Sequence, residues 1–183
     1  MEPGGVDSEA GRINAKYRGF YAQPSPDAAI SALAALQHAV FHLDQLVEAG
    51  LSKRAVQSRV DSGRLHRIHQ AVYSLVPAAL LTREGHWLAA VLACGPEAAL
   101  SHESAAALHG LRRYSGALIE VVVPGQAHRN RPHLNVHRSK TLTPADITIV
   151  DAIPCTIVAR TLLDLAECLN RRNLERAFDQ AEV

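Results

Sequence analysis

The feature that most constrains this chain is a pair of short helical periods hinged at a glycine. Leu43, Leu46 and Val47 recur at helical spacing and stop at Gly50, a residue free to take the left-handed conformation that ends a helix. Leu51 and Ser52 open the next period. Ser52 is placed as its N-cap, Ala55, Val56 and Val60 run along one side, and Ser62 and Gly63 close it. Helices this short draw their stability from packing rather than from themselves. Two of them joined across Ala49, Gly50 and Leu51 read as a helix-turn-helix. The next two runs, Arg64 to His69 and Val72 to Leu75, carry Leu65, Ile68, Val72 and Tyr73 and read as a small hairpin, a wing beside the helices.

Around this motif the chain divides into three parts: a flexible extension over residues 1–26, a winged helix-turn-helix over 27–78, and a small mixed α/β domain over 79–183. The extension is rich in glycine and proline without a sustained apolar period, and its Arg12, Lys16 and Arg18 beside Tyr17, Phe20 and Tyr21 are read as an untethered tail or, alternatively, a basic arm. From Asp27, Ile30, Leu33, Ala34 and Leu36 predict a helix ending near His38. In the last part, Thr82 and Arg83 start a helix through Trp87, Leu88, Val91 and Leu92 that Gly95 and Pro96 break. Ser101 to Leu111 predicts another helix. Ala117 to Val123 reads as a buried strand, Leu134 to His137 as an exposed one, and Ile147 to Ile153 as a third. Thr156 is expected to cap a helix holding Ile157, Leu162, Leu163, Leu165 and Ala166, and the chain ends in a further helical pattern from Asn173. The fold class expected is α+β, with helices packed on a short sheet.

A net charge of +1 does not announce a nucleic-acid partner, so local charge must make that case. Between Gly50 and Gln70 stand Lys53, Arg54, Arg59, Arg64 and Arg67 against the single acid Asp61. Phosphates dominate binding to duplex DNA, and clustered cations on one module are what a docking face requires. Winding the second helix of the motif puts Ala55, Val56 and Val60 in one arc and Arg54, Gln57, Ser58 and Asp61 opposite. On that outer face Arg54 can address guanine, Gln57 adenine, and Ser58 a base or a phosphate, while the Ser52 end offers backbone amides to a phosphate. Lys53 adds to the cationic surface. Arg59 falls near the buried arc and is read as structural. Arg64 and Arg67 are placed on the first strand of the wing, with His69 and Gln70 at its tip.

The segment from Leu43 to Leu75, LDQLVEAGLSKRAVQSRVDSGRLHRIHQAVYSL, resembles the N-terminal winged-helix module of AbiEi-type antitoxins and transcriptional regulators. SHESAAALHGL from Ser101 and IEVVVP from Ile119 resemble the family's central region, and IPCTIVARTLLDL from Ile153 its IPxTxxxRTLxDL signature. The resemblance implies a DNA-binding repressor, in some members the antitoxin of a type IV toxin–antitoxin pair whose toxin is a nucleotidyltransferase. Other relatives fuse this region to a Vsr-like endonuclease domain. At the wing turn the family places a basic residue and then glycine, where this chain has Gln70 and Ala71, which alters the turn and weakens a phosphate contact there.

Other constellations carry less. His128, Arg129, Arg131, His133, His137, Arg138 and Lys140 form a second basic stretch without an acid, read either as another nucleic-acid or acidic-partner surface or as a solvated loop and edge strand. His133 and His137 have helical metal-ligand spacing but lie on a strand pattern, about 13 Å apart, so no metal is expected there. Ser101, His102 and Glu103 are triad residue types that do not converge from separate segments. His66 and His69 read as polar surface residues, and Arg160 and Asp164 as a structural pair on one helix. Cys94, Cys155 and Cys168 are too few and too scattered for a disulfide framework or zinc ribbon and are read as buried thiols.

No phosphate loop, HExxH motif or nuclease-type acid-x-lysine strand is present, so no enzyme activity and no cofactor are expected. A cytoplasmic protein is expected, with double-stranded DNA as partner, no membrane contact, and the last domain serving homodimer or toxin contacts. Two alternatives remain open: the targeting portion of a nuclease whose catalytic domain lies elsewhere, and an antitoxin that acts only through protein contacts.

Overall fold

A computed structural model describes residues 25–116, 118–125 and 133–182, and these build an α+β fold of seven α-helices and two β-sheets. Helix α1 (Pro26–Leu36) starts where Pro26 supplies a preset φ and the Ser25 hydroxyl accepts the Ala28 amide at 3.2 Å. The last two residues of the expected extension are therefore its cap and first residue; the rest of that segment, with Arg12, Lys16 and Arg18, lies outside the described residues.

Strand β1 (Val40–His42), helix α2 (Leu43–Glu48) and helix α3 (Lys53–Asp61) follow. Ser52 caps α3 as expected, its Oγ accepting the Ala55 amide at 3.1 Å. Gly50 takes φ +98° between α2 and α3, and a Cβ there would also stand 3.3 Å from the Pro26 ring, so two independent restraints favour glycine. Strands β2 (His66–His69) and β3 (Val72–Ser74) complete an antiparallel sheet in the order β1-β3-β2, with an irregular register between Arg67 and His69. Arg64, expected on the first wing strand, instead lies in the loop before β2, because the turn at Ser62 and Gly63 takes up two residues after α3. Ile30, Phe41, Leu46, Leu51, Val56, Leu65 and Tyr73 form the core of this half.

The turn between β2 and β3 places Ala71 at φ +60°, where a side chain strains against its own backbone. Ala71→Gly is therefore expected to raise folding stability by about 1 kcal/mol, less whatever the freer unfolded chain takes back. A urea midpoint unchanged or lowered in that variant would show that the neighbouring Leu43–Ala71 backbone bond, 2.8 Å long, already accommodates the strain.

Helix α4 (Arg83–Cys94) is capped by Thr82, and Gly95 ends it at φ +117°. Then come β4 (Ala99–Leu100), α5 (His102–Leu108), β5 (Ile119–Pro124), β6 (Leu134–Ser139), β7 (Ile147–Val150), β8 (Ile153–Thr156), α6 (Val158–Ala166) and α7 (Arg171–Ala181), with 3-10 turns at Ala78–Leu80 and Pro144–Asp146. The second sheet runs β6-β5-β4-β8-β7, parallel at β5–β6 and β4–β8 and antiparallel elsewhere.

Three expectations are corrected here. The single strand read from Ile147 to Ile153 is a hairpin, reversed by Asp151 and Ala152 at φ +49° and +61°. Thr156 ends β8 instead of capping α6; the cap position belongs to Ile157, and the Thr156 hydroxyl pairs with that of Thr161 at 2.7 Å. Of the three thiols only Cys155 is buried, which pushes it up to about 11, whereas Cys94 is half-buried and Cys168 exposed. The expected strand from Ala117 begins at Ile119, Ala117 itself lying outside the described residues.

Helix α4 binds the two halves into one interior. It buries Trp87, Leu88, Ala89, Ala90, Val91 and Ala93, touching all three strands of the first sheet and β4, β5 and β8 of the second. Val40 and Val72 from one sheet share a continuous apolar cluster with Leu100, Val121 and Ile153 from the other. Among the described residues no helix is long and apolar enough to cross a membrane.

Candidate nucleic-acid interface

The outer face of α3 is built as the periodicity requires. Val56 is buried, Ala55 and Val60 are half-buried toward the core, and Lys53, Arg54, Gln57, Ser58 and Asp61 are exposed. Among the described residues none of Lys53, Arg54, Arg64 and Arg67 is paired with an acid, so their charge is available to a ligand. Arg59 is the exception: its guanidinium meets Asp27 at 2.8 Å and ties α3 to α1, as the structural reading anticipated. Gln57 donates to Asp61 at 2.7 Å along the same face and would have to exchange that bond for a base edge.

Beside α3 the hairpin presents Arg67, whose guanidinium lies 5.8 Å from the centre of the Tyr73 ring. That contact holds the charge against the sheet while leaving the residue exposed. Arg64 is exposed and steadied by a bond from Nε to the Ser62 hydroxyl at 3.2 Å. Ser52 is exposed at the start of α3, and His66 and His69 are half-buried on β2. The structure thus assembles Ser52, Lys53, Arg54, Gln57, Ser58, Arg64, Arg67 and His69 within one run of α3, loop and hairpin.

The second basic stretch is only partly described. Arg138 and Lys140 are exposed at the end of the edge strand β6, while His128, Arg129 and Arg131 lie outside the described residues. His133 is exposed and precedes β6, whereas His137 turns inward.

That inward turn forms a cluster the sequence does not reveal. The rings of His102 and His137 stack with centres 3.6 Å apart, and His137 Nε2 lies 3.3 Å from Glu120 Oε1. Glu120 Oε2 accepts the Glu103 amide at 2.7 Å, and the Ser104 hydroxyl accepts the Glu120 amide at 3.0 Å. Ser101, in extended backbone before α5, places its hydroxyl 3.0 Å from His102 Nδ1, so the two do touch despite being neighbours. Burial, and then the neighbouring His137, press the His102 imidazole below its ordinary value, while Asp164, Glu120 and Glu167 pull it upward. Burial would raise the Glu120 carboxyl, but the bonds from His137 and the Glu103 amide outweigh it and hold it below the usual range.

Arg160 and Asp164 pair as expected, Nε to Oδ1 at 2.7 Å. No protein-family model matches this chain, and no curated protein is significantly similar to it.

Proposed function

We propose that residues 27–78 form a winged helix-turn-helix that reads double-stranded DNA, and that the protein is a sequence-specific transcriptional repressor acting as the antitoxin of a type IV toxin–antitoxin pair. The observation that carries the DNA reading is that Lys53 and Arg54 are exposed on the outer face of α3, with Arg64 and Arg67 beside it, and that among the described residues none of the four is paired with an acid. A helix of this kind lies in the major groove with its outer side chains against base edges, while the neighbouring hairpin reaches the backbone. The antitoxin role and a nucleotidyltransferase toxin as partner rest on the resemblance of the winged-helix segment and of IPCTIVARTLLDL to the AbiEi family.

The test is a shift assay on the protein's own promoter fragment across a salt series, with sites selected from random duplexes. Binding that falls steeply with salt supports the proposal; absent or salt-insensitive binding removes it. Arg54→Ala is expected to weaken specific binding by roughly 1–3 kcal/mol and to flatten base preference at one position. Arg64→Ala should weaken all sequences alike and lower the salt slope by about 1. An unaltered selection profile for Arg54→Ala would take that residue off the reading face.

A further inference from the structure

We propose that His102, Glu120 and His137 form a binding site for one zinc-class divalent transition-metal ion. Two imidazole nitrogens and a carboxylate oxygen are a donor set that zinc and its first-row neighbours accept, with a position left for water or another ligand. Taking one donor atom from each residue, all three lie within 4.8 Å of one another. Zinc bonds of about 2.0–2.2 Å put tetrahedral donors roughly 3.3–3.6 Å apart, so the His137–Glu120 spacing of 3.3 Å already fits. The third donor, from His102, lies within 4.8 Å of the other two, and its ring must turn out of the stack on His137 to bring its lone pair to the same point.

The surrounding residues orient these donors as they do in metal sites. Ser101 engages Nδ1 of His102 and leaves Nε2 as that ring's remaining donor. The Glu103 amide fixes Oε2 of Glu120 and leaves Oε1 toward His137. The residues come from three elements, α5, β5 and β6, so the convergence is a product of the tertiary fold and not of local sequence.

Two further observations point the same way. His102 sits at φ +48°, a left-handed conformation costly for a side-chain-bearing residue, and such strain persists where the surroundings demand a fixed side-chain position. A cleft of about 220 Å³, lined by Glu103, Ser115, Leu118, Glu120, Asn135 and Cys168, opens onto Glu120 from the surface.

The test uses the full chain after chelator treatment, titrated with zinc by calorimetry and with cobalt(II) by visible absorption. One ion per chain is expected, with affinity at least tenfold weaker in Glu120→Gln and in His137→Gln. The ten histidines of the chain make adventitious uptake easy to recognise, because it would survive both substitutions. No binding by the wild-type chain, or equal binding by both variants, overturns the site. X-ray absorption of the zinc-loaded wild-type chain reads the same question without a variant: two imidazoles and one carboxylate around the ion are expected, and a shell without two imidazoles overturns it.

Discussion

Replacing Arg160 by alanine is expected to cost roughly 3–5 kcal/mol of folding stability, the range for removing one partner of a buried ion pair. The Arg160 side chain is 13% exposed and that of Asp164 7%. The guanidinium also reaches the Ser139 hydroxyl at 3.2 Å and Asp146 at 3.9 Å, so it joins α6 to the end of β6 and to the 3-10 turn before β7. Among the described residues Asp164 Oδ2 has no hydrogen-bond partner even with Arg160 present. Without the arginine, a carboxylate away from water would keep neither bond nor counter-charge, and that unpaired charge is the main source of the loss. The double change Arg160→Met with Asp164→Leu should restore most of it, since an apolar pair of similar bulk avoids the desolvation altogether. Urea unfolding of the single and double variants makes the comparison. A double variant no more stable than Arg160→Ala would mean that the Ser139 and Asp146 contacts, not the pair, hold this corner.

Trp87→Ala is expected to destabilise the fold by roughly 3–5 kcal/mol, as for other large-to-small aromatic truncations. Trp87 is 1% exposed, meets the Tyr114 ring edge-on at 5.2 Å and lies under the Arg83 guanidinium at 4.8 Å. The value should fall toward the lower end, because Trp87 also borders an open cleft of about 540 Å³ with Ile68, His86 and Leu134, and the space left could fill with water from there. Among the described residues its indole N–H has no hydrogen-bond partner, so Trp87→Phe removes an unsatisfied donor along with some volume and should cost much less. Denaturant midpoints for both variants separate volume from polarity. Similar losses in Phe and Ala would place the importance of Trp87 in its second ring.

What could be read from the sequence follows where local signals are strong. Helices α3 and α4 were legible because Ser52 and Thr82 are good caps, and Gly63 and Gly95 are good stops. Strands β1 and β4 were not: three and two residues cannot display an alternation, and they are strands only because β3, β5 and β8 are there to pair with them. The β7–β8 reversal was hidden for a related reason, since Asp151–Ala152 carries none of the glycine that usually marks such a turn.

The candidate interface divides the same way. Arg54, Gln57 and Ser58 belong to one helix, so a 3.6-residue period was enough to put them on its outer face. His102, Glu120 and His137 come together only when β5 and β6 pair in parallel, with Val122 opposite His137, and α5 lies alongside. No spacing in the chain encodes that meeting.

Helix α4 has one further consequence. Nothing around residue 78 works as a seam: a fragment ending there would bare Val40 and Val72 to water, and one beginning there would strip the opposite flank of the helix. Recombination or gene fusion can thus exchange neither half alone, and any graft of the α3 reading surface onto another scaffold has to bring Trp87 and its neighbours along.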